Sequence, residues 1–221
     1  MDHAHVSSLL KTLQIPSKIH TVYLIGSRLW GTHSPKSDFD LLIVTADTRS
    51  SFPKSQHKGN YDATIITETE FRQQVESGSL IESLCCLFPG TEECVLAVDV
   101  TRNRRALIGK DQLQKMRLWV DERTQKDREK AMKFWTKGSE TRQKGWKILQ
   151  HSIAAESILH GLHEIIEEEK VDLQDIALRQ VTVQRLVTEG REDDDRDWLA
   201  KDWKDVDTEH RTRLQRLKIM P

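Results

Sequence analysis

Tyr23-Leu-Ile-Gly-Ser-Arg-Leu-Trp-Gly-Thr-His-Ser-Pro-Lys-Ser-Asp-Phe-Asp-Leu-Leu-Ile-Val44 is the stretch of this 221-residue chain whose reading decides the fold. It opens inside a β-branched and aromatic run (residues 21–25), which predicts a short strand ending at Gly26. A Gly-Ser pair at a strand end lets the backbone turn sharply and approach a ligand closely. A helix starting there offers its unpaired amides and the Ser27 hydroxyl to a phosphate group. Ten residues separate Ser27 from Asp38-Phe39-Asp40, which is followed by the apolar run Leu41-Leu42-Ile43-Val44, so a second strand is expected over 38–45. Strand alternation puts Asp38 and Asp40 on one face and Phe39 on the other. Two neighbouring carboxylates repel each other unless a divalent cation sits between them.

A third strand is expected over 61–66, with Asp62 one residue inside it and Thr64 on the same face. If that strand lies beside the second, three carboxylates converge near a phosphate-binding turn. Such a layout suits two-metal phosphoryl transfer: one Mg²⁺ organises a triphosphate and the other lowers the pKa of an attacking hydroxyl.

Working outward, residues 6–13 read as a short helix that stops before Pro16. The polar stretch 47–60 reads as a loop; its Arg49, Lys54, His57 and Lys58 are compatible with a mobile flap or with plain solvation. Residues 69–87 read as helix broken near Gly78 and ended by Pro89-Gly90, with a fourth strand at 95–98. From about residue 104 the period becomes helical; Ile148, Leu149, Ile153, Leu159, Leu162 and Ile166 mark a long amphipathic helix. Charged helix is expected again from about 172 and over 191–219, with Trp198, Trp203, Leu214 and Leu217 as apolar anchors. The acidic run at 192–195 reads as a solvated turn. The fold class is therefore α/β (α+β), a mixed sheet over residues 1–100 followed by a helical segment over 101–221 that packs on it.

The 34 Lys+Arg and 35 Asp+Glu give a net charge of −1, so no global field draws the chain to nucleic acid or membrane. The balance is uneven along the chain: residues 101–150 carry 15 basic against 6 acidic side chains. That segment is either a solvated helical face or a surface for an anionic ligand. No apolar run reaches the roughly 18 residues of a spanning helix, and the first residues lack the pattern of a secretory signal. Three cysteines, two of them adjacent (Cys85, Cys86), read as buried thiols of a reducing, cytoplasmic compartment.

Gly26-Ser27, ten residues, Asp38-x-Asp40 and an apolar run together resemble the signature of the DNA polymerase β-type nucleotidyltransferase superfamily. The likeness is strongest to its small stand-alone (minimal) members and their antitoxin relatives, and it is firm over residues 20–90. The resemblance implies a polymerase-β-like core and transfer of an NMP from an NTP, ATP among them, to a hydroxyl with release of pyrophosphate. It implies that Gly26 and Ser27 start the helix gripping the triphosphate, that Asp38 and Asp40 bind Mg²⁺ or Mn²⁺, and that Asp62 completes the set. Arg28, one residue on, is a candidate phosphate contact or an exposed helix residue. Trp30 is a base-stacking or core aromatic, and His33 and Lys36 precede the acids in the loop. Superfamily members bring a lysine from their helical part to the triphosphate, which makes Lys147 the candidate here. The expected acceptor is an RNA 3′ end, with the basic 101–150 segment as its contact. The alternatives are AMP transfer onto a protein side chain and a non-catalytic, antitoxin-like partner protein whose acidic C-terminal helices form an interaction surface. His160 and His163 have one-turn spacing but no further ligand pattern and read as surface residues.

Overall fold

A computed structural model describes residues 9–13, 15, 18–29, 35, 37–46, 54–87, 96–97, 107–108, 110–167 and 195–219. The chain divides into two compact units, residues 1–112 and 113–221.

The first unit begins with helix α1 (residues 9–13), whose Leu9 and Leu13 are buried. Next come β1 (Ile19–Ile25), α2 (Gly26–Leu29), β2 (Phe39–Thr45), β3 (Ser55–Lys58), β4 (Tyr61–Thr67), α3 (Glu68–Glu76), α4 (Leu80–Leu87) and β5 (Leu96–Ala97). The five strands form one mixed sheet in the order β3-β4-β2-β1-β5. β2 and β4 run parallel, and the other three pairs are antiparallel. The expected adjacency of the strands carrying the paired acids and Asp62 is thus present.

Alternation along these strands feeds two apolar layers, one on each face of the sheet. Val22, Leu41, Ile43, Ala63 and Ile65 join Leu9 and Leu13 of α1 on one face. Tyr23, Leu42, Val44 and Ile66 meet Phe71 and Val75 of α3 and the buried Cys85 and Cys86 of α4 on the other. Helix α3 starts where it does because Thr67 and Glu70 form a capping box: Thr67 Oγ1 accepts from the Glu70 amide at 3.1 Å, and the Thr67 amide donates to Glu70 Oε2 at 2.9 Å. The break expected near Gly78 falls between α3 and α4, where Gly78 takes φ 86°. Leu107 and Ile108 also pack in this layer, and the Gln112 side-chain amide donates to the Val75 carbonyl. These contacts explain why residues beyond 100 belong to the sheet unit. Pro89-Gly90 and residues 95 and 98 lie outside the described residues.

One element departs from the expected loop at 47–60. Residues 55–58 are the edge strand β3, joined to β4 by the two-residue turn Gly59-Asn60, with Gly59 at φ 61°. Four polar residues with no apolar alternation give no strand signal of their own; the pairing comes from the turn.

α5 (Lys110–Lys137) starts at the end of the first unit, and the second comprises the rest of it, α6 (Ser139–Glu167), α7 (Asp195–Ala200) and α8 (Trp203–Ile219). Its core gathers Ala131, Trp135, Trp146, Leu149, Trp198 and Val206. The Trp146 and Trp198 rings lie 4.4 Å apart, and the Trp135 indole donates to the Lys201 carbonyl at 3.1 Å. Gly145 lets α6 approach α5: a Cβ there would stand 3.0 Å from the Ala131 carbonyl oxygen. Charged pairs tie the helices together, including Arg128 to Asp207 at 2.6 Å and Arg117 to the buried Glu156. The helix expected from about 172, and the acidic run at 192–194, lie outside the described residues. Among those described, no helix is long and apolar enough to cross a membrane.

Candidate active site at the mouth of the parallel strand pair

The site is assembled by strand register. Ile25 of β1 pairs with Asp40 of β2, Asp40 with Asp62 of β4, and Asp62 with His57 of β3. One row perpendicular to the strands therefore reads His57, Asp62, Asp40, Ile25, and Gly26 follows directly on Ile25. Neighbouring strands lie roughly 4.8 Å apart, so side chains in such a row stand side by side on one face.

Gly26 is required here twice over. It takes φ 68°, a conformation that costs an ordinary L-residue about 1–2 kcal/mol. An added Cβ would overlap the Asp40 carboxylate, standing 2.7 Å from its Cγ. The glycine thus leaves room for a half-buried carboxylate at the first turn of α2, where Ser27 is also half-buried. Asp38 is exposed, immediately before the first residue of β2. The Phe39 amide donates to the Asn60 carbonyl at 2.8 Å, which fastens the acidic segment to the β3–β4 turn. Phe39 and Tyr61 stack with ring centroids 5.2 Å apart. Tyr61 packs against the apolar layer of the opposite face, in keeping with the alternation expected for the acids.

Asp62 is engaged by a neighbour: His57 Nδ1 lies 2.5 Å from Asp62 Oδ1. His57 stood in the sequence only as one basic residue of a loop. The signal that locates it is Gly59-Asn60, a turn pair flanked by Lys58 and Tyr61, which are register partners. Lys54, from the same stretch expected as loop, donates to Glu70 at 2.8 Å and holds its carboxyl below the ordinary value, helped by the Thr67 amide.

Hard carboxylate oxygens are the donor type that Mg²⁺ and Mn²⁺ take, and Asp40 and Asp62, in register on adjacent strands, supply that donor type. As the side chains stand, no three Asp, Glu, His or Cys residues among those described are gathered closely enough to hold a metal.

The expected nucleotide contacts are more scattered. Gly26 and Ser27 adjoin the acidic row, while the Arg28 side chain lies outside what is described, as do Trp30, His33 and Lys36. Lys147 is exposed on α6, in the second unit.

A strand–glycine–helix turn beside in-register acids on a mixed α/β sheet is the framework of a nucleotide-handling protein. The sequence pattern of the nucleotidyltransferase domain matches residues 6–171, and the chain belongs to that family. Among solved structures, a nucleotidyltransferase-like protein from Exiguobacterium sibiricum 255-15 is similar at 10% identity and a TM-score of 0.35, covering 96% of this chain and 72% of that one. No curated protein matches.

Proposed function

We propose that this protein is a metal-dependent nucleotidyltransferase that moves an NMP from an NTP to a hydroxyl acceptor, an RNA 3′ end, with release of pyrophosphate. The observation that carries this reading is the register of Asp40 and Asp62 on adjacent parallel strands beside the Gly26 turn, in a chain of this family. Asp38 and Asp40 would hold Mg²⁺ or Mn²⁺, with Asp62 completing one site. When bound, such ions neutralise triphosphate charge and acidify the attacking hydroxyl. The chain's own part is to fix the carboxylates by strand register, to present the Gly26 and Ser27 amides with the Ser27 hydroxyl to the β- and γ-phosphates, and to accept the acceptor's proton at Asp62. Arg28 and Lys147 are the further phosphate contacts of this reading. The basic stretch 101–150 would bind RNA with an affinity that falls steeply with salt.

The test is transfer of label from each α-³²P NTP, with Mg²⁺ or Mn²⁺, to total RNA and separately to a protein extract. An Asp38→Ala/Asp40→Ala variant runs alongside. RNase-sensitive label from the wild type alone is the expected result, and protease-sensitive label would move the reading to AMP transfer onto protein. No transfer and no metal-dependent NTP binding would leave a nucleotidyltransferase fold serving as a binding partner.

A further inference from the structure

The hydrogen bond between His57 and Asp62 has no evident part in holding the fold. Both side chains are substantially exposed, 64% and 47%, and exposed pairs of this kind contribute little to stability. β3 is already placed by its ladder to β4, in which Ser55, Gln56, His57 and Lys58 pair with Thr64, Ala63, Asp62 and Tyr61. Yet the contact is short, and it joins the one carboxylate of the row that stands between an edge strand and Asp40.

Chemistry fixes its polarity. An ionised carboxylate has only lone pairs to offer, so Nδ1 of His57 carries the hydrogen and donates it to Oδ1. Asp62 Oδ2 has no protein partner among the described residues. One oxygen of Asp62 is thus tied to β3, the carboxylate plane is set by that tie, and the other oxygen is left to the site. Carboxylates that bind cations or move protons lose much of their effectiveness when their orientation is not held, since small misplacements of such groups are costly.

The geometry points to His57 as a positioning residue: it orients Asp62 for nucleotidyl transfer through a donated Nδ1–H hydrogen bond from the edge strand. This assignment rests on the reading of the Asp40–Asp62 row as the transfer site. It adds a residue outside the Gly-Ser and Asp-x-Asp pattern, contributed by a strand that the sequence alone presents as loop.

Three substitutions test it. His57→Ala removes the donor. His57→Asn restores one near the position of Nδ1, because the Asn amide nitrogen branches from the same carbon distance. His57→Gln places its amide one bond farther out, where Nε2 stood. Label transfer would be measured as separate kcat and KM for the NTP, and Mn²⁺ affinity by electron paramagnetic resonance without nucleotide. Expected for His57→Ala is a kcat lower by roughly 10–100-fold with KM within about twofold, and weaker Mn²⁺ binding. His57→Asn should recover most of both losses, and His57→Gln should not. In an Asp62→Ala background, the His57 substitutions should have no further effect.

Equal kcat and Mn²⁺ affinity in wild type and His57→Ala would overturn the assignment, as would equal rescue by Asn and Gln. Should His57→Ala melt early, the Asn–Gln contrast decides, since both keep a polar side chain on β3. If the wild type transfers no label at all, the transfer reading falls separately. The Mn²⁺ arm then decides alone: weakened binding restored by Asn supports positioning, and unchanged binding overturns it.

Discussion

In the sheet unit, position is set by the backbone: four ladders of hydrogen bonds fix which residue stands beside which, and aliphatic side chains fill both faces. The described elements of the helical unit are all helices, with no such ladder between them. Its helices are held to one another by side chains, through the Trp135–Trp146–Trp198 core, the Arg128–Asp207 and Arg117–Glu156 pairs, and a buried Ser152–His210 hydrogen bond of 2.8 Å. These particular polar side chains of the helical unit are thereby committed to structure. At the strand mouths of the sheet unit, by contrast, Asp38 is exposed and Asp40 and Asp62 are half-buried, outside both apolar layers.

The contrast can be broken from either side. The largest effect is expected from Asp40→Asn, which should lower label transfer by roughly 10³-fold while circular dichroism and the melting temperature stay near wild type. An equally large loss of stability would mean that Asp40 holds the sheet together. In the helical unit, Trp146→Ala should cost about 3–5 kcal/mol in urea unfolding, the range for emptying a buried aromatic site. Tryptophan fluorescence is a suitable probe, because five of the six tryptophans fall beyond residue 112 and only Trp30 precedes it.

Acid sharpens the comparison. Burial, and then the Arg128 charge, push His210 down to about 4 from an ordinary value of 6.5. Folding therefore favours the neutral ring. The associated stability is complete above pH 6.5, declines as the pH falls below that value, and is gone once it has passed through about 4. The whole excursion is worth about 3 kcal/mol. Urea midpoints followed by fluorescence should fall across this range in the wild type and much less in His210→Gln; parallel slopes would remove His210 from the account. In the sheet unit Glu70 is held below its ordinary 4.5 by Lys54 first of all, so its contribution is complete above pH 4.5 and is lost only as the pH falls from there through the lower folded value. The helical unit should thus weaken first on acidification.

Smaller changes separate backbone from contact within the sheet unit. Gly26→Ala should cost about 2 kcal/mol from the positive φ alone and also displace the Asp40 carboxylate, so activity and thermal stability fall together. Thr67→Ala should cost about 1 kcal/mol through loss of the α3 cap, visible as a melting shift with transfer unchanged.

Legibility in the sequence followed burial. β1, β2 and β4 were readable because β-branched and aliphatic runs bounded by Gly or polar turns have few other uses, and α6 because its apolar period is regular over many turns. The acids were readable as residues, since Asp-x-Asp at the mouth of an apolar strand is conspicuous. Their alignment was readable only as a condition, because the register of β2 with β4 depends on an intervening connection that leaves no local mark. β3 was not readable from its own residues. His57 followed it out of sight, since a histidine gains meaning only once the strand opposite Asp62 exists. The long-range pairing of His20 with Glu68, both buried at 3.4 Å, likewise left no signal in either segment.

The polar composition of β3 has a consequence for how the molecule behaves in a crowd. It forms one border of the sheet, and borders expose unpaired amides and carbonyls that recruit strands from other chains. Ser-Gln-His-Lys, with Lys54 just before it and every residue but Gln56 exposed, is a poor template for such recruitment. Replacing these residues with valine or isoleucine would strengthen the strand by propensity and, by the same change, open a route to fibrils. Resistance to strand recruitment and the placement of His57 beside Asp62 thus draw on the same four residues.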